Sequence, residues 1–150
     1  MTYDYKCVSV YADPNNNLII IPNGKSQKWG GATAEINIVN QISVPYSDDD
    51  LEKALINSME LCYSKDPDAD GDISPIEKHL KVKGYSKAVK NKRFICFRWD
   101  IDDGYYLIPT KKVPKRGYVH QEDKIIMLGK NIEHGKLAQA VKEAINLATS

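Results

Sequence analysis

The chain carries one pattern twice. Residues 6–22 (KCVSVYADPNNNLIIIP) slide onto residues 93–109 (RFICFRWDIDDGYYLIP) at an offset of 87 without a gap. Val8 and Val10 fall on Ile95 and Phe97, Asp13 on Asp100, Asn17 on Gly104, and Ile21-Pro22 on Ile108-Pro109. The same offset carries Glu35 onto Glu122 and Ile38-Val39 onto Ile125-Ile126. One residue fewer aligns Leu51, Ala54, Leu55 and Leu61 with Leu137, Ala140, Val141 and Leu147. A common order of features on this scale marks a repeat architecture, and duplication explains it better than two unrelated stretches do.

Each half reads as a hairpin followed by further strands and a helix. Two apolar runs flank a polar cluster, Asp13-Pro14-Asn15-Asn16-Asn17 or Asp100-Ile101-Asp102-Asp103-Gly104, whose residue types tolerate the backbone of tight turns. A third strand is expected near 34–44 and 124–128, and a short fourth near 27–33 and 115–120. Leu51, Leu55, Met59 and Cys62 recur at helical spacing behind Ser47 and Asp50, a capping signature. Leu137, Val141, Ala144 and Ala148 form a matching stripe near the end of the chain. Both stripes read as core. The expected fold class is α+β: antiparallel sheets from two pseudo-repeats, each β-β-β(β)-α, with packed helices. The expected organisation is one domain over 1–150, with repeat 1 over about 1–62, a connector over 63–92 and repeat 2 over about 93–150.

Charge is divided between the halves. Residues 1–77 hold 5 Lys/Arg against 13 Asp/Glu, and residues 78–150 hold 16 against 7, beneath a net charge of only +1. Such segregation suits a charged partner. With 42% hydrophobic residues in 150, the chain can bury a core without staples. No apolar run approaches the roughly 18 residues of a membrane span, and the opening Met1-Thr2-Tyr3-Asp4-Tyr5-Lys6 lacks the pattern of a secretory signal. Three cysteines, Cys7, Cys62 and Cys96, have no CxxC spacing and frame neither a disulfide scaffold nor a zinc site. The expectation is a cytoplasmic protein with reduced thiols and no cofactor.

Catalytic patterns are missing from the sequence. His79, His120 and His134 are scattered and none has metal-ligand spacing to another His or Cys. Gly24-Lys25-Ser26 ends like a phosphate loop, but Ile19 stands where that pattern needs its first glycine. The run Asp66-Pro67-Asp68-Ala69-Asp70-Gly71-Asp72-Ile73-Ser74-Pro75-Ile76-Glu77 does satisfy the EF-hand calcium-loop pattern. It lacks the second loop with which such sites pair, so an acidic connector is the simpler reading. The stretch Lys78–Arg93, with Tyr85 interleaved, offers a phosphate-contacting alternative to a solvated basic face.

The second half resembles a known family. The strand–turn–strand Arg93–Pro109 ending Leu107-Ile108-Pro109-Thr110, then Leu128-Gly129, Leu137-Ala138-Gln139-Ala140-Val141, Ala144-Ile145 and Ser150, are similar to the immunity proteins of bacterial contact-dependent growth inhibition systems. The likeness covers residues 93–150, and the acidic connector stands outside it. It implies a small cytosolic protein, not an enzyme, that binds and neutralises the toxin domain of an effector, often a nuclease. A nuclease cleft is basic, so the expected contact residues are the acidic ones without a capping role: Asp66, Asp68, Asp70, Asp72, Asp100, Asp102 and Asp103. The last three serve equally well as turn formers. The rivals are a single-stranded nucleic-acid-binding protein and a calcium-binding protein using the 66–77 loop.

Overall fold

The computed structural model describes residues 3–69 and 71–150. Strands β1 (Tyr5–Ala12), β2 (Leu18–Ser26), β3 (Ala32–Glu35) and β4 (Asn40–Ile42) precede helix α1 (Asp48–Glu60). Strands β5 (Arg93–Asp100), β6 (Gly104–Val113), β7 (Gly117–His120) and β8 (Ile126–Gly129) precede α4 (Lys136–Leu147). Two short helices, α2 (Pro75–Leu80) and α3 (Tyr85–Ala88), lie between the halves. The fold is mixed α+β with a curled antiparallel sheet in the order β3-β2-β1-β5-β6-β7, β4 lying beside β2 and β8 beside β6.

The repeat seen in the sequence reappears as hydrogen-bond register. Val8 faces Pro22 in the first hairpin and Ile95 faces Pro109 in the second, the same pairing 87 residues on. Leu18 faces Ile42, and Tyr105 faces Gly129, again at that offset. Strands β1 and β5 join the halves along a central seam running from Tyr5↔Asp100 to Ala12↔Arg93.

Period-two alternation along these strands separates two faces. Val8, Val10, Leu18, Ile20, Ile95, Phe97 and Leu107 point to α1 and α4, which bury Leu51, Leu55 and Met59, and Leu137, Val141 and Ile145, against them. Ser47 caps α1, its hydroxyl accepting from the Asp50 N–H at 3.0 Å. Its acidic first turn, Asp48–Asp50, complements the helix dipole. The opposite face carries Tyr11, Ile19 and Ile21, covered by Ile76 of α2 and by Ala88 and Val89 at the end of α3.

The strands after each hairpin differ from the sequence expectation. In place of one strand over 34–44, the chain bends at Ile36, whose side chain is fully buried and whose carbonyl accepts from the Ile38 N–H. That bend shares β2 between two partners: β3 takes Asn23–Ser26 and β4 takes Leu18–Ile20. Strand β6 is divided in the same way, β7 pairing with Thr110–Val113 and β8 with Tyr105–Leu107. Residues 27–31 are turn, and strand resumes at Ala32. Gly104 opens β6 at φ +75°, where a Cβ would stand 2.4 Å from the Gly129 carbonyl oxygen, so β8 crosses only because no side chain is there.

Candidate functional site

The face away from α1 and α4 is not apolar throughout. Ser9 in β1 and Asn23 in β2 are buried polar residues among aliphatic neighbours. Glu35 in β3 is the cross-strand partner of Asn23. Together they floor a cleft of about 650 Å³ between the sheet and the connector. Its walls include the Lys28-Trp29 loop, the 67–75 segment and Tyr85.

The floor is a hydrogen-bonded chain. The Asn23 side-chain amide donates to the Ser9 hydroxyl at 3.1 Å. The Tyr11 hydroxyl donates to the Glu35 carboxylate at 2.6 Å and lies 2.9 Å from the Tyr85 hydroxyl. Burial pushes the Glu35 carboxyl above its ordinary range, against the opposing effect of hydrogen bonds from Tyr11 and Ser9. Burial, then the Glu35 charge, pushes the Tyr85 phenol up to about 12. Among the described residues no cation is paired with Glu35. Lys28, at the rim, is ion-paired with Asp72 and lies over the Trp29 ring at 5.6 Å. Trp29 and Ile73 stand out at the mouth, 67% and 56% exposed.

The connector acids have defined partners. The Asp66 carboxylate accepts the Asp68 N–H, and Asp68 accepts from the Ser26 hydroxyl and the Lys28 N–H. Those bonds, Ser26 first, hold the Asp68 carboxyl below its ordinary range. Glu77 is committed elsewhere: it closes a capping box with Ser74 at the start of α2 and accepts the Gly84 N–H at 2.9 Å. Among the described residues, Asp66, Asp68, Asp72 and Glu77 form no group converging on one point. Asp70 lies outside the described residues.

Asp100 is a turn former, accepting the N–H groups of Asp102 and Asp103 at 3.0 and 2.6 Å and leaving those two side chains exposed. The β5–β6 turn and the β2–β3 loop lie at the same end of the sheet, because Tyr5 at the start of β1 faces Asp100 while β2 runs past it to Ser26. Asp4 sits there too, its carbonyl accepting the Ile101 N–H. The two acidic segments, far apart in sequence, thus share one end. The opposite end holds Lys90, Lys92 and Arg93 before and at the start of β5, and Lys111, Lys115 and Arg116 along the β6–β7 hairpin. The basic stretch after Lys78 is not one solvated helix face, for it is divided between α2, α3 and the turn into β5.

Sequence reasoning found the acids but not the cleft. Two further clusters were equally hidden. Asp49, Glu52 and His134 come within 4.8 Å at the α1–α4 junction, where Glu52 accepts the N–H groups of Gly135 and Ala138 and so caps α4. Cys7 and Cys96 lie buried on neighbouring strands, where a hydrogen bond from Cys96, then the Arg98 charge, lowers the Cys7 thiol against its burial.

No family model matches the chain, and no curated protein matches it. Among solved structures it is similar to a protein of unknown function from Neisseria meningitidis, with a TM-score of 0.72 over 99% of both chains at 12% sequence identity. At that identity the likeness establishes the fold alone.

Proposed function

We propose that the protein works by binding a basic protein partner, and that it is an immunity protein which occludes the active cleft of a nuclease toxin. One observation carries the reading: acids far apart in sequence are gathered at one end of the sheet, beside a cleft whose floor holds a carboxyl without a cation among the described residues. A basic nuclease cleft is complementary to that end. Trp29 and Ile73 supply exposed apolar anchors of the kind that dominate binding energy at protein interfaces. The resemblance of residues 93–150 to contact-dependent growth inhibition immunity proteins points the same way, and a partner-binding role needs no cofactor.

The test looks for an effector gene immediately upstream and purifies its C-terminal toxin domain separately; the absence of any such gene counts against the proposal. The expected result is a stable complex and loss of nuclease activity at stoichiometric protein. The basic end favours the rival reading, a single-stranded nucleic-acid-binding protein. A protein that ignores the toxin domain but binds an oligonucleotide, with affinity falling steeply as salt rises, would overturn the proposal in favour of that rival.

A further inference from the structure

We infer that Glu35 is the receptor for a lysine or arginine side chain that the protein partner inserts into the cleft. The inference rests on the reading of a basic protein partner and adds the point of contact. A carboxylate drawn out of water is costly unless it is paired, and hydrogen bonds offset only part of that cost. Here the carboxylate sits on the floor of an open cleft, bonded to Tyr11 and without a cation among the described residues. The lysine within reach of the rim is already committed to Asp72.

The surroundings fit a long cationic side chain. Phe94 and Tyr85 line the cleft and Trp29 stands at its mouth, aromatic neighbours for an aliphatic stem and for the charge at its tip. The cleft volume of about 650 Å³ leaves room for one such chain. A structural role alone does not require a charge, since glutamine also accepts the Tyr11 hydrogen bond. A carboxylate set beside aromatic rings and open to solvent on one side is what an ammonium or guanidinium group recognises.

The test begins without the partner. Nα-acetyl-arginine methylamide and Nα-acetyl-lysine methylamide are titrated into the whole protein, with the Trp29 indole N–H and the backbone amide of Glu35 followed by NMR. The uncharged norleucine analogue is the control. Saturable shifts with the cationic probes, weakened at least about tenfold in Glu35→Gln and absent with norleucine, are expected, since a hydrogen bond to a charged group contributes that much. No saturation, equal binding of norleucine, or full binding by Glu35→Gln would overturn the inference. The norleucine comparison uses wild-type protein, so a poorly folded variant does not blunt it. The toxin arm separates this inference from the proposed function. If the toxin domain binds wild type and Glu35→Gln alike, the inference fails and the function stands. If no toxin complex forms while the cationic probes bind at Glu35, the function fails and the cation receptor stands.

Discussion

The behaviour of single residues in this fold follows from where the sheet leaves polar atoms. Glu35 is the sharpest case. Its carboxyl titrates above the ordinary glutamate range in the folded protein, so the folded state holds its proton more tightly than the unfolded chain does. Stability from this group is therefore full in acid and falls as pH rises from the ordinary glutamate range through the raised one. The facing groups are Tyr11 from β1, Tyr85 from α3, and Lys28, Asp68 and Asp72 at the rim. Asp68, held low by Ser26, loses stability in the opposite sense, only in acid. Glu35→Gln is expected to melt higher than wild type at neutral pH, with the gap closing as pH drops below the ordinary glutamate range. Thermal melts across that range check it, and a constant gap would show that the raised titration is not Glu35's.

At the level of elements, the connector sets a calcium-loop sequence pattern against local hydrogen bonds that occupy its last residue. Its EF-hand pattern is met residue for residue, yet Glu77 is spent on capping α2 and on Gly84. Calcium is accordingly expected to leave the melting midpoint unchanged relative to chelator. Ser74→Ala, by contrast, removes the other half of the capping box and should cost about 1 kcal/mol, read by denaturant unfolding. The hairpins and long helices were legible because polar turn clusters and apolar stripes are local signals, repeated at one offset. The short strands were not, because β2 and β6 change partners midway, and no local pattern announces that Ile36 turns inward. The acids were visible as composition. The cleft was hidden because its floor joins Tyr11 to Glu35 and Tyr85, 24 and 74 residues away. Its trace in sequence is Ser9 and Asn23 interrupting strands that are otherwise largely apolar on that face.

For the molecule as a whole, part of the divided charge of the sequence is arranged along the strand direction, with Asp13 at the basic end and Lys25 at the acidic end as exceptions. Asp4, Asp66, Asp102 and Asp103 are exposed at one end, while Lys90, Lys111, Lys115 and Arg116 are exposed at the other. Steering by such a field acts on the association rate and is screened by salt. Asp66→Asn, Asp102→Asn and Asp103→Asn combined are expected to slow association with the toxin domain by about tenfold at low salt. At high salt the effect should be small, and dissociation should change little. Stopped-flow rates at two ionic strengths check this, and an effect confined to dissociation would move these residues from the rim of the interface to its centre. The central seam has a further consequence, for how the chain is made. Strand β1 leaves the ribosome about 90 residues ahead of its seam partner β5. Until then β1 presents a bare edge, and such edges recruit other chains. The acidic connector emerges during that interval, so the nascent half carries its excess of negative charge while its edge is open. Like charge works against association of neighbouring nascent chains until β5 arrives to pair with β1.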